Sequence, residues 1–146
     1  MYSIDTRIVD FIQAHHVLTL ATCTEGKPYC TLLFYIYLAD ENVLVFASEK
    51  RTRHIDEAMA NPAVAGSVAL ETNVVGLIRG LQWQGQLFSP PAALKRKAKR
   101  AYWRRFPFVM LKGARLWTVR PTFFKYTDNR LGFGKKIIVT LSSNEK

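Results

Sequence analysis

The sequence predicts a mainly β fold, an antiparallel barrel of six to eight strands with helical decorations, built as one domain by residues 1–146. Three observations predict it. Apolar, β-branched and aromatic runs of strand length recur along the chain. The early runs are joined by short turns of Gly, Pro, Asp and Asn, which favour antiparallel hairpins. Helical patterns do not alternate regularly with the strands, as a doubly wound parallel sheet demands.

Each element has a local reason. Ile4, Ile8, Phe11 and Ile12 share one face at helical spacing, with Ser3 placed to cap that helix. Residues 17–22, VLTLAT, make a first strand, and TEGKP turns the chain into a second. That second strand, residues 29–38 (YCTLLFYIYL), is too aromatic and unbroken for a surface helix. The turn Asp40-Glu41-Asn42 leads to a third strand over 43–47. A short helix over 53–60 stops at Asn61-Pro62, because a residue before proline avoids the helical backbone. Residues 64–71 and 74–88 read as two more strands, the second bending or bulging at Gly80 and Gly85. Ser89-Pro90-Pro91 opens a basic helix over 92–105, serine capping it and proline fitting its first turn. Residues 114–120, 122–127 and 136–141 complete the strands.

The composition excludes several classes. Of 146 residues, 49% are hydrophobic and 12% aromatic, enough for a packed core and too many for a disordered chain. No run approaches the roughly 20 apolar residues of a membrane span. The first residues lack the basic-then-apolar pattern of a secretory leader, so a cytoplasmic location is expected. Cys23 and Cys30 are too few for a disulfide framework and are expected as free thiols. The formal charge is +10, and residues 72–127 hold twelve Lys or Arg with no Asp or Glu. Such asymmetry favours an anionic partner.

The stretch LVFASEKRTRHIDE concentrates the chemistry. Ser48 ends a strand, Thr52 stands at a helix N-cap position, and Lys50, Arg51, Arg53 and His54 crowd the handover. Cations at a helix N-terminus oppose the helix dipole, so their presence there is best explained by a bound anion. A solvated loop is the plain alternative. His15-His16 lacks the carboxylate and thiol neighbours of a metal shell and reads as a helix end. The basic helix with Tyr102 and Trp103 is compatible with nucleic-acid binding, though a solvated helix face looks the same and nucleic acid is the less favoured partner.

The order strand, hairpin, strand, basic turn, short helix ending in Asn-Pro, then Val-Ala-Gly resembles the flavin-binding split barrel of the pyridoxamine 5′-phosphate oxidase kind. The likeness is clearest over residues 26–68. With TRHIDEA, LIRGLQ, YWRRFP and YTDNRLGFGKK added, nearly the whole chain is similar to a subgroup of short uncharacterised bacterial proteins of that superfamily.

The resemblance implies flavin mononucleotide (FMN), held non-covalently between the subunits of a homodimer, and an oxidoreductase acting on an anionic small molecule. The family's phosphate-binding Ser-Arg-Lys falls on Thr52, Arg53 and His54, and a preceding hydroxyl residue falls on Ser48. Lysine has become histidine, with Lys50 or Arg51 to compensate. Thr31, Leu32 and Leu33 are expected to line the ring through their backbone, on a strand whose usual opening arginine is absent. A ring-approaching glutamine falls on Gly80, with Gln82 two positions on. Arg79 belongs to the same second tier, and Asn129 and Lys135 are expected to reach over from the partner subunit. The residues that grip pyridoxamine phosphate have no counterpart, so that substrate is not implied. Related barrels bind haem or deazaflavin, and a haem reading would make His15, His16 or His54 the ligand.

Overall fold

The computed structural model describes residues 3–142. Its elements run α1 (Thr6–Ala14), β1 (Val17–Thr24), β2 (Lys27–Leu38), β3 (Val43–Ser48), α2 (Arg53–Ala60) and β4 (Ala63–Ala69). There follow β5 (Arg79–Phe88), α3 (Ala92–Arg105), α4 (Pro107–Leu111), β6 (Arg115–Asp128) and β7 (Lys136–Thr140). Short 3₁₀ turns occupy Ala39–Glu41, Val75–Leu77 and Asn129–Leu131.

The seven strands form one antiparallel sheet in the order β3-β2-β1-β4-β5-β6-β7, and β3 also pairs with β6. That last pairing closes a ring. The long β6 carries the closure, because one of its edges serves two strands in succession. Leu116–Val119 and their neighbours face β3, with Ser48 opposite Arg115, and residues 123–127 face β7. Pro121 falls between the two stretches and opposite an irregularity at Gln84/Gly85 in β5, where its missing N–H breaks no ladder bond.

Inside the ring, Leu18, Leu20, Tyr35, Phe46, Trp83, Val119 and Phe124 pack together. Helix α1 covers them with Ile8, Phe11 and Ile12, and α2 with Ile55 and Ala58. Outside the ring, Leu94, Ala98 and Tyr102 of α3 cover Ile36, Val43 and Val45. Strand β3 is thus buried on both faces, which explains its unbroken apolar sequence. Gly66 is required by packing: a Cβ there would stand 2.3 Å from the Trp83 ring and 2.1 Å from the Thr19 carbonyl oxygen.

Several boundaries differ from the sequence expectations. Asp5, not Ser3, caps α1, accepting from the Arg7 backbone N–H at 2.9 Å. Residues 74–78 are not strand: the Thr72 hydroxyl accepts from Val74 N–H and the chain turns there, so β5 begins at Arg79. Ser89 does not cap α3; adjacent prolines hold the chain extended and the helix starts after Pro91. Helix α4 was not expected, although Pro107 sits at its first position. The expected strands over 114–120 and 122–127 are one strand, β6. Cys23 and Cys30 are free, and the register sets them opposite Pro28 and Ala21 rather than each other.

Candidate functional site

The basic turn folds as a compact polar knot. Ser48 closes β3 and is 8% exposed, and His54, in the first turn of α2, is 7% exposed. Ser48 Oγ lies 2.7 Å from His54 Nε2, Thr52 Oγ1 lies 3.1 Å from the same nitrogen, and the two hydroxyls are 3.3 Å apart. Thr52 occupies the N-cap position of α2, but its hydroxyl makes no cap bond and turns to this cluster instead. Its carbonyl accepts from Ile55 and Asp56, so the N–H groups of Arg53 and His54 have no acceptor within the helix. Burial holds the His54 imidazole below its ordinary pKa, with the nearby Glu57 charge acting the other way. The ring is therefore neutral at pH 7, a hydrogen-bonding group rather than a cation.

Arg53 is already engaged. Its Nε–H donates to Glu57 Oε1 at 2.8 Å, one helical turn on, and its guanidinium lies 4.2 Å from the centroid of the Tyr29 ring. Glu57 also accepts from the Thr22 hydroxyl, which with Arg53 holds its carboxyl below the usual range. This group ties α2 to the β1–β2 hairpin. Lys50 and Arg51 remain exposed, with no ion-pair partner among the described residues.

Beside this turn β2 leaves its neighbour. Tyr35 N–H bonds to the His16 carbonyl on the β1 side, so alternation turns the backbone groups of Cys30, Leu32 and Phe34 to the opposite edge. Strand β3 pairs with that edge only from Tyr35 onward. The Phe34 carbonyl accepts from the Tyr102 hydroxyl at 3.1 Å, whereas Cys30 and Leu32 face no strand there. Of Thr31, Leu32 and Leu33, only Leu32 has backbone groups on this free edge. Thr31 and Leu33 direct theirs to β1. The Leu32 side chain is 71% exposed.

The remaining predicted residues lie elsewhere. Gln82 is on the outer face in one row with Leu32, Thr19 and Ser67, three strands away. Arg79 faces Asp128 across β5 and β6, while Ser48 faces Arg115, so roughly 40 Å of strand separates them along β6. Asn129 joins the two turns at that far end, donating to the Val75 carbonyl at 2.8 Å and accepting from Gly134 N–H. Lys135 is exposed beside it. One chain therefore does not bring these three to the basic turn. His15 Nδ1 lies 2.7 Å from the Phe11 carbonyl oxygen and His16 is exposed.

Sequence reasoning missed Tyr29, Glu57, Tyr102 and Trp117. The last donates from Nε1–H to the Ser48 carbonyl at 3.2 Å, fixing the end of β3. Only Glu57 carried a readable signal, its four-residue spacing from Arg53.

The ring, the split edge of β2 and the turn into α2 define a split-barrel protein. The chain belongs to the pyridoxamine 5′-phosphate oxidase family, whose model matches residues 4–107. It is 37% identical over 138 residues to the UPF0306 protein YhbP of Escherichia fergusonii, covering 94% of each chain. It is 35% identical over 127 residues to a UPF0306 protein of Yersinia pestis, covering 87% of this chain and 86% of that one. Solved structures of similar fold include a heme-binding protein from Mycobacterium smegmatis (TM-score 0.74, 16% identity, 96% of this chain). The chain spans 60% of that protein's length. A FAD-binding protein from Mesorhizobium loti is similar at TM-score 0.69, 17% identity, 85% of this chain and 94% of its own. Among the described residues no helix is long and apolar enough to cross a membrane.

Proposed function

We propose that the protein is a homodimeric flavoprotein that binds FMN non-covalently at its subunit interface and acts as an oxidoreductase on an anionic small molecule. The observation that carries this reading is the convergence of the Ser48 and Thr52 hydroxyls and His54 Nε2 at a helix N-terminus, beside an unpaired strand edge. The residues fit the group. Hydroxyl and amide donors with flanking cations suit a phosphate, and a free row of backbone groups suits the polar edge of a flavin ring.

When bound, FMN supplies the hydride or electron transfer. The protein's part is position and charge. Ser48 and Thr52 turn their hydroxyls to the phosphate, and the neutral His54 orients them. Arg53 adds its backbone N–H and the guanidinium N–H groups that its Nε–H bond to Glu57 leaves over, and Lys50 and Arg51 offset the remaining negative charge. Leu32 presents its backbone to the ring. Arg79, Gln82, Asn129 and Lys135 join this site only from the second subunit. The FAD-binding protein from Mesorhizobium loti shares this fold, which supports a flavin; the heme-binding protein from Mycobacterium smegmatis shares it too and keeps haem as the competing outcome.

The test is the absorbance spectrum of the purified protein, before and after FMN addition and desalting, with the mass in solution measured alongside. Flavin bands retained by a dimer support the reading. A Soret band transfers it to haem, and a colourless protein that refuses FMN overturns it.

A further inference from the structure

The site above leaves a large concavity unused. It opens between the C-terminal half of α2, the end of β5, the start of β6 and helices α3 and α4, with a volume of about 700 Å³. That is far above the voids of a packed core and within the range of small-molecule sites. Its walls are Met59, Phe88, Met110, Leu116 and Trp117, two thioethers among aromatic and aliphatic surfaces that adapt to a ligand's shape. Arg120 stacks over the Phe88 ring at 4.5 Å and steadies that wall.

The charge at the mouth is one-signed. Lys95 and Lys99, one turn apart on α3, line it, and Arg115 lines it from β6. Among the described residues no carboxylate does. Among the described residues none of these three cations has an ion-pair partner, whereas Lys97 on the same helix reaches Glu41 at 3.0 Å. A nucleic acid would need cations but no apolar floor. The cations suited to it, Arg96, Arg100 and Arg104, line a separate shallow groove on the other side of α3.

We propose that this cavity is a second ligand site, for a small carboxylate with an apolar body, the carboxylate between Lys95, Lys99 and Arg115 and the body against Trp117 and the methionines. The proposal does not rest on the flavin reading. None of the cavity's lining residues belongs to the basic turn, although the bond from Trp117 to the Ser48 carbonyl sets the two back to back.

The test titrates the full chain with ω-bromooctanoate, whose bromine quenches tryptophan emission on contact, and with ω-bromooctanol as its neutral match. Three tryptophans emit, and the exposed Trp103 gives only a linear, unsaturable background. A saturable component with the carboxylate is expected, on the order of tenfold weaker with the alcohol and in the double variant Lys95→Gln/Lys99→Gln. Those positions are solvent-facing, so an unchanged circular dichroism spectrum is expected too. Quenching that is purely linear, equal for the alcohol, or unaltered by the double variant overturns the proposal. So does saturable quenching seen only after dilution to monomer, which assigns the mouth to a second copy. FMN retention, measured on the same sample at fixed protein concentration, moves independently of the carboxylate, alcohol and double-variant outcomes.

Discussion

The hydroxyl of Ser48 sits 2.7 Å from Nε2 of His54, joining the last residue of a strand to the first turn of the next helix across a buried contact. A lysine in place of His54 would bring a charge into this spot. The imidazole brings a neutral ring instead, and its protonation state decides what the turn can hold.

That state gives a pH prediction. Burial depresses the folded pKa of His54, so below the ordinary value near 6.5 the unfolded chain binds the proton first. Stability therefore falls as pH drops through about 6.5 and levels once the folded value is passed. Denaturant midpoints of wild type and His54→Gln from pH 8 to pH 5 check this, and the variant should lack the slope.

Arg53 and Glu57 give opposed predictions for FMN. Arg53→Ala removes a cation at the helix start and should weaken binding by about 1.5–3 kcal/mol, the worth of a charge-assisted hydrogen bond. Glu57→Gln removes a competing carboxylate 2.8 Å from the Arg53 guanidinium and should tighten binding a few-fold. Fluorescence titration of FMN measures both, and unchanged affinity in Arg53→Ala removes the guanidinium from the phosphate site.

Gly66→Ala tests the close packing of β4 against β1 and the Trp83 ring. A Cβ at 2.3 Å from the Trp83 ring forces the indole or β1 to shift, and overpacking of this kind costs about 1–3 kcal/mol. The variant should unfold at lower urea with Trp83 emission altered already in the native state.

At the far end of β6, the Arg130 guanidinium beside Asp128 holds that carboxyl down to about 2, with the Tyr126 hydroxyl also donating to it. A depressed acid stabilises above its unfolded pKa and loses that contribution as pH falls through the folded one. Wild type should therefore lose stability between about pH 4 and pH 2. Asp128→Asn should start lower and lose less over that range, as acid titration followed by circular dichroism would show.

What was legible in the sequence was local. Asn61-Pro62 ended α2 where the structure ends it, and the hairpin around Glu25-Gly26 was readable from the glycine of TEGKP, which takes φ +70° in the turn. Thr52, Arg53 and His54 could be placed by counting back from the same proline. Residues brought together from a distance could not. Nothing near Ser48 announces Trp117, and nothing near Phe34 announces the Tyr102 hydroxyl that donates to its carbonyl. The run 74–78 was misread because its β-branched composition outweighed one local signal, the Thr72 hydroxyl that starts a turn.

The double duty of β6 has a kinetic consequence. Ring closure joins Ser48 to Trp117, partners 69 residues apart, whereas the β1–β2 hairpin needs only its own turn. Loop-closure entropy puts such a pairing late in folding. The Ser48 end of the basic turn is thus fixed to β6 only when the last strands arrive, and the phosphate binding proposed for it should appear at the end of refolding rather than with the secondary structure. A chain stopped before β6 would be an open sheet with two raw edges, prone to pair with its neighbours instead of binding anything.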